Sequence, residues 1–473
     1  MSDAAALKKP PTTPEPVDQV QESLYAKRKN IYPREVHGIF AALRVLAVFA
    51  LLGIYYGLPW LRWEGRQAVL FDLPARKFYV FDWVFWPQDF FYLVILLLIA
   101  AYSLFFFTAM AGRLWCGYAC PQTVWTEVFL WMERKIEGDR PQQMKLDKAP
   151  WSVQKVLKKG GKHLAWLLFA AFTGFTFVGY FAPIQELGER LLSFDLGPWE
   201  TFWIIFYSFA TYGNAGWMRE QVCIYMCPYA RFQSAMFDKD TLVISYDEAR
   251  GEPRGSRKRG ADYRAAGLGD CIDCTLCVQV CPTGIDIRNG LQYQCIGCAA
   301  CIDVCDDVME KMGYEKGLVR YTTENAMKGT PAHPLRPRVV IYASILVLLT
   351  AALFYTISQR IPLKLDIIRD RAGLYRETSE GLVENVYTLK VINMDERDHT
   401  YRINVEGVDG MEFINPRGDV EVEAGAVLNL PVSIRVDPVN LSKASSQITF
   451  TIEALDAPEL KRVENGRFLG PVG

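Results

Sequence analysis

Residues 271–305 read CIDCTLCVQVCPTGIDIRNGLQYQCIGCAACIDVC. Two runs of C-x-x-C-x-x-C-x-x-x-C follow one another, the spacing of bacterial two-cluster ferredoxins. Three closely spaced thiolates wrap one iron–sulfur cube, and the fourth of each run, by then carried across, ligates the other. The spacing assigns Cys271, Cys274, Cys277 and Cys305 to one [4Fe–4S] cluster. It assigns Cys281, Cys295, Cys298 and Cys301 to a second. Gly284 and Gly297 suit tight backbone approaches beside the sulfurs. A pair of zinc sites is the competing reading, but zinc takes separated Cys pairs or a Cys/His mixture, and no His falls within 264–332. Pro282 follows the first run, whereas Asp306 stands after the second.

The other cysteines come in two pairs, WCGYACPQ at 115–122 and VCIYMCPY at 222–229. Each is C-x-x-x-C-P with a Tyr two places after the first Cys (Tyr118, Tyr225) and an aromatic nine places after it (Trp125, Phe232). Each also follows the second helix of an apolar hairpin, which points to an internal duplication with a site at the repeat interface. Helical i, i+4 spacing sets Cys116 beside Cys120 and Cys223 beside Cys227, with Pro121 and Pro228 ending or kinking the helix. A pseudo-twofold then gathers four soft thiolates at the membrane edge, a set suited to Cu(I), zinc or an iron–sulfur centre. Simple packing of small buried cysteines and a redox-active dithiol are the alternatives.

Five stretches are apolar over a length near the ~20 residues that a bilayer requires: 39–58, 90–111, 164–183, 200–217 and 339–358. The fourth is short and rich in Gly, Thr and Asn. No cleavable signal peptide is read in the polar, Pro-containing residues 1–38. Basic residues concentrate in that segment (Lys8, Lys9, Lys27, Arg28, Lys29, Arg34), between the second and third helices, and in RGEPRGSRKRG at 250–260. The third-to-fourth loop holds only Arg190. The positive-inside rule therefore predicts a cytoplasmic amino terminus and ferredoxin domain, and an odd helix count puts residues 360–473 in the periplasm. All twelve cysteines lie between Cys116 and Cys305, on the side predicted to be reducing. Arg44, inside the first span, is read as snorkelling to the interface.

Few histidines are present: His37, His163, His333 and His399. None is mid-membrane, which disfavours a bis-histidine haem in the bilayer; His37 and His163 stand at cytoplasmic helix starts, within reach of a metal or quinone site. VWTEVFLWMERKIEG at 124–138 is read as an amphipathic helix on membrane lipid with a solvated charge run. From 383 onward, alternating runs such as VENVYTLKVIN and SSQITFTIEAL predict an antiparallel sandwich. The 473 residues carry 52 Lys plus Arg against 53 Asp plus Glu, a balance that gives no global nucleic-acid footprint. Mean hydropathy of +0.05 averages membrane and soluble parts.

The predicted fold is thus a multidomain membrane protein. A cytoplasmic segment (1–38) precedes a four-helix region with both CxxxCP motifs (39–237) and a linker (238–264). An α+β two-cluster ferredoxin domain (265–330), a fifth helix (339–358) and a periplasmic immunoglobulin-like β-sandwich (360–473) follow. With its paired CxxxCP motifs, double ferredoxin run and carboxy-terminal β-domain, the chain resembles the FixG/CcoG family of cbb3-type cytochrome oxidase accessory proteins over nearly its whole length. The resemblance implies a bacterial inner-membrane protein that reduces Cu(II) to Cu(I) for oxidase assembly. It also implies that Cys116, Cys120, Cys223 and Cys227 handle metal or electrons. Expected partners are a cytosolic electron donor, copper ion, membrane lipid, and oxidase subunits or assembly factors docked by the outer domain. A quinone-linked membrane ferredoxin and a non-catalytic scaffold with structural clusters are the alternative functions.

Overall fold

The computed structural model describes residues 30–371 and 373–471. Of the amino-terminal basic residues, Lys8, Lys9, Lys27, Arg28 and Lys29 lie outside the described residues. Two compact units divide the described residues: 30–57, 104–178 and 190–339 form one, and 58–103, 179–189, 340–371 and 373–471 the other.

Six longer helices carry the apolar stretches and their flanks: α1 (Ile39–Gly57), α2 (Phe90–Ala111), α3 (Pro121–Glu137), α4 (Val153–Val178), α5 (Pro198–Thr211) and α6 (Pro337–Ser358). Among the described residues, four helices are long and apolar enough to cross a membrane: α1, α2, α4 and α6 with their immediate flanks. α1 buries none of its side chains, and Leu46, Phe49 and Ile54 stand outward; a helix apolar all round is suited to lipid. α4 begins eleven residues before the predicted 164, because Lys155, Lys158, Lys159 and Lys162 are helical rather than loop residues. α5 alone rises only about 21 Å at 1.5 Å per residue, short of the ~30 Å hydrocarbon layer. The chain continues from it as a π-helix, Tyr212–Met218. α5 packs closely on α4: a Cβ on Gly174 would lie 2.5 Å from the Ile204 carbonyl oxygen, the small-residue approach of membrane helices.

α3 does not present a solvated charge run. Glu133 and Glu137 are buried and meet the basic turns of α4. Lys162 Nζ lies 3.0 Å from Glu137 and 3.5 Å from Glu133, Lys159 lies 2.8 Å from Glu137, and Arg219 lies 2.5 Å from Glu133. The apolar side of α3 packs on α4 as well, where the Trp166 indole donates to the Phe129 carbonyl at 3.1 Å. Helical periodicity reveals that a face exists but not which neighbour covers it.

In the ferredoxin region the segment predicted as linker supplies a strand. Val243–Tyr246 pairs antiparallel with Val319–Thr322. Ile244, Tyr246, Leu318 and Val319 then share a core with Cys271, Cys277, Ile302 and Met309.

The second unit holds the β-sandwich. Its strands are β1 (Leu363–Arg369), β2 (Val383–Asn393), β3 (His399–Glu406), β4 (Glu412–Ile414), β5 (Val420–Val422), β6 (Val427–Val436), β7 (Ser445–Ala454) and β8 (Lys461–Leu469). One sheet runs β4–β6–β2–β1, with Arg376–Glu377 also pairing β2; the other runs β5–β3–β7–β8. Alternate residues of β2 are buried, as the period-two pattern requires. Two hydrogen bonds from β2 tie the sheets together: Tyr387 Oη donates to the Arg467 carbonyl (2.8 Å), and the Asn385 amide donates to that of Leu469 (2.6 Å). Residues 58–89 add short strands to this unit. Among them Gln67 bridges to Gly179, donating at 2.7 Å to its carbonyl.

Candidate metal centres and their connection

The two cysteine runs fold as copies of one loop. Asp273 (φ +52°) and Gly297 (φ +70°) occupy equivalent places, as do Thr275 (φ +57°) and Ala299 (φ +60°). Thr275 then caps the short helix Leu276–Gln279, and Ala299 caps Ala300–Met312. This duplicated turn folds each run of three cysteines around a hollow. One cavity is lined by Cys271, Cys274, Cys277 and Cys305, together with Arg288 and Val304. A second is lined by Cys281, Cys295, Cys298 and Cys301, and Cys277 also contributes to its wall. The walls bring Cys305 beside Cys271, Cys274 and Cys277, and Cys281 beside Cys295, Cys298 and Cys301. All twelve cysteines are free thiols. Among the described residues no group of three or more His, Cys, Asp or Glu is gathered for a single metal ion, the four cysteines of the CxxxCP motifs included.

The chemistry of these hollows fits a cluster. Burial pushes the Cys277, Cys305 and Cys298 thiols up to about 12, and Cys301 well above its ordinary value. Such sulfurs stay protonated unless a cation compensates them, and bound iron supplies that compensation. Arg288, on the wall of the first cavity, is fixed by Asp286 (2.7 Å) and Asp273 (2.5 Å).

The second cysteine loop is clamped to the helices. Arg44 does not merely snorkel; its guanidinium donates to the Cys298 carbonyl. Arg113 donates to the Cys295 carbonyl at 3.3 Å. Asp303 accepts from the amides of Phe40 (3.1 Å) and Ala41 (2.7 Å) at the start of α1, placing a carboxylate on the positive end of a helix. Tyr321 Oη donates to the Gly297 carbonyl at 2.6 Å. Closest of all is Gly117, between Cys116 and Tyr118: a Cβ there would lie 2.7 Å from the Gly297 carbonyl oxygen and 3.0 Å from Cys298 Cα. The first membrane-edge cysteine motif therefore lies directly against the second cluster loop.

The two CxxxCP motifs do not form continuous helices. Cys116 lies in the short helix Leu114–Tyr118, and Cys120 is extended (φ −61°, ψ 128°) before Pro121 opens α3. Cys223 lies in a π-turn, and Cys227 (φ −79°, ψ 110°) precedes Pro228, the first residue of helix Pro228–Met236. Proline disfavours a helical residue before it, so each pair straddles a break. The two pairs lie within electrostatic reach of one another. Burial raises Cys116 to about 12, with Cys120 and Cys223 adding to the rise. Burial likewise raises Cys223 to about 11, with Cys120 and Cys227 contributing, and Cys227 pushes Cys120 the same way. The Cys116 thiol donates to Gln233 Oε1 at 3.3 Å. Gln233 is fully buried and its amide nitrogen has no partner among the described residues; turned over, that amide would donate to a metal-bound thiolate.

Gln233, Arg113 and Arg44 thus join the site without having been singled out for it by motif. His163 is occupied with Tyr212 Oη at 2.9 Å.

The comparisons with known proteins agree with this geometry. Residues 218–324 match a 4Fe-4S dicluster domain, 90–138 a 4Fe-4S binding domain, and 353–471 the IG-like fold at the C-terminal of FixG. The nitrogen fixation protein FixG of Rhizobium meliloti is 40% identical over 427 residues, 82% of each chain. The chain belongs to the FixG family. Another relative, protein RdxA of Cereibacter sphaeroides, is 39% identical over 430 residues, 88% of each chain. A crystal structure of a FixG-related protein from Vibrio parahaemolyticus is 35% identical, covering 24% of this chain and 98% of its own, with a TM-score of 0.22. This FixG-family chain is an iron–sulfur redox protein of the membrane.

Proposed function

We propose that this FixG-family chain passes electrons from its ferredoxin-type centres to the cysteines at the membrane edge, where Cu(II) is reduced to Cu(I) for assembly of a cbb3-type cytochrome oxidase. The observation that carries the reading is the contact of Gly117 with Gly297 and Cys298, which leaves no layer of protein between the two cysteine loops. Cys271, Cys274, Cys277 and Cys305 would hold one cluster; Cys281, Cys295, Cys298 and Cys301 would hold the other. When bound, [4Fe–4S] clusters supply one-electron transfer, at potentials within about −700 to +450 mV. Cys277, on both cavity walls, keeps the two centres adjacent. Arg44 and Arg113 hold the carbonyls of Cys298 and Cys295 and so fix the loop nearest the membrane. Cys116, Cys120, Cys223 and Cys227 offer soft thiolates that favour Cu(I), and each cupric ion takes one electron there. By the distribution of basic residues, the ferredoxin region faces the cytoplasm, and the β-sandwich docks an assembly partner in the periplasm.

Anaerobic protein with reconstituted clusters, assayed for Cu(I) with a chromogenic chelator, tests the reading. Cys116→Ser and Cys223→Ser should retain eight irons and lose cupric reduction. Undiminished reduction by cluster-free protein would reject it.

A further inference from the structure

One cavity of the first unit plays no part in the function so far described. Its volume is about 910 Å³, and it lies between α1, α3 and the second cluster loop, at the upper end of the roughly 300–1,000 Å³ usual for small-molecule sites. Along α1 its lining includes Ala41, Val45, Val48, Phe49, Leu52 and Gly53, one continuous apolar face at helical spacing. Toward the start of α1 the wall changes character. His37, Glu127 and Thr283 face the cavity there, and Cys298 and Cys223 complete the wall. A lipophilic tail is thus accommodated on a membrane helix, and a polar head beside a cluster cysteine.

The charges select the kind of head. Four arginines line the cavity, Arg34, Arg44, Arg134 and Arg219. Arg44 is engaged with the Cys298 carbonyl, Arg134 with Glu127 at 3.1 Å, and Arg219 with Glu133 at 2.5 Å. Two of the four cations are thus neutralised by carboxylates, a third is held by a carbonyl, and Glu35 and Glu220 also line the wall, so the cavity is a poorer match for a phosphate headgroup than for a neutral ring bearing hydroxyl or keto oxygens.

We propose that the cavity binds a membrane quinol, which supplies the electrons for the redox centre at Cys281, Cys295, Cys298 and Cys301. The proposal deepens the electron-transfer reading and rests on it. In the step, both phenolic O–H bonds break and the ring becomes a quinone. Its two protons leave by way of the exposed His37 to water, and its two electrons pass one to each cluster. Cupric ion is the final acceptor. The donor is then lipid-soluble rather than cytosolic.

The test uses detergent-purified, anaerobic full-length protein with both clusters present. Decylubiquinol and menadiol are the reductants, and dithionite is the control. Decylubiquinone binding is read separately as quenching of fluorescence that Trp131→Phe removes, because Trp131 lines the cavity. Gly53→Phe adds bulk to the lining at a position where a Cβ meets nothing within 4 Å; Ala42→Phe is a second filling variant. At least one quinol should reduce the clusters of the native chain. Each filling variant should raise the half-saturating quinone concentration about tenfold while dithionite still reduces the clusters fully. Clusters reducible by dithionite but by neither quinol would overturn the proposal. So would quenching that the filling variants leave unchanged, or that excess phosphatidylglycerol abolishes, which would mark a phospholipid niche. If dithionite reduces nothing, the electron-transfer reading fails, and the quenching result still decides whether the cavity takes a quinone.

Discussion

At Gly297 two demands meet, a positive φ and a neighbour's backbone: a Cβ there would stand 3.0 Å from the Arg113 carbonyl oxygen. The equivalent place in the first run is Asp273, also at positive φ, so the turn alone does not require glycine; the packing against the membrane-edge motif does. The sequence marked Gly297 as a close approach, but to cluster sulfur, because the Arg113 contact depends on residues nearly two hundred positions away. Gly297→Ala should therefore cost the ~1 kcal/mol of a left-handed alanine plus about 1–3 kcal/mol of overpacking. Gly313→Ala, in the left-handed region (φ +75°, ψ +27°) with open space around it, should incur only the first. Iron content and thermal unfolding of the two variants check this, and equal losses would refute it. His399 gives a second prediction. Burial pulls its pKa down, but hydrogen bonds to Asp395 (2.9 Å) and Asp456 (2.7 Å) outweigh that and raise it. Its stabilisation is complete below the unfolded value near 6.5 and is lost as pH rises through the higher folded value. Asp456, whose pKa is lowered by the same bond, protects in the opposite sense and fails only in acid. The β-sandwich transition temperature should thus fall between neutral and mildly alkaline pH, and His399→Asn should flatten that slope.

Among the elements, α3 and α4 best display what pattern can and cannot carry. Apolar spacing identified both as helices, whereas the Cys-Pro step, read as the end or kink of a helix, proved to be the start of the next one. The spacing could not tell that Glu133 and Glu137 face inward, because an acidic residue on a polar stripe looks alike whether water or a lysine covers it. The fully buried Glu137 carboxylate, with Lys159 and Lys162 beside it, makes the difference measurable. Removing one partner of a buried ion pair typically costs about 3–5 kcal/mol, whereas replacing both with apolar groups is often neutral. Glu137→Leu should accordingly lower the thermal stability of the detergent-solubilised chain strongly. Glu137→Leu combined with Lys162→Met should recover part of the loss, since Lys159 keeps its pair with Asp147 and Glu133 keeps Arg219. A near-neutral single variant would return α3 to a water-covered face. α5 taught the same lesson by another route: its apolar stretch was legible, but its continuation as a π-helix over Tyr212–Met218 comes from packing and polar residues that no hydropathy sum resolves.

Over the whole molecule, the two cores are built from different materials, and metal removal should separate them. The ferredoxin core places Cys271 and Cys277 among Ile244, Met309 and Leu318, around cavities whose walls are thiols. The sandwich core is closed by Tyr387, Tyr401, Phe450 and Phe468 with no cysteine. Both were readable in outline because a cysteine spacing and a two-residue alternation are local signals. The grouping of 58–103 and 179–189 with the carboxy-terminal residues was not, since it rests on contacts such as that of Gln67 with Gly179, far apart in the chain. A core whose ligands need a metal to ionise is coupled to that metal, because binding free energy becomes folding free energy. Iron chelation under reducing conditions should therefore strip amide protection from 243–322 while leaving 363–469 protected, as followed by hydrogen exchange and mass spectrometry. Parallel loss in both regions would mean that the sandwich depends on the clusters for its fold, and equal persistence would mean that the thiol-lined hollows are stable without iron. Only the asymmetric result fits one core assembled around sulfur and another assembled around aromatic side chains.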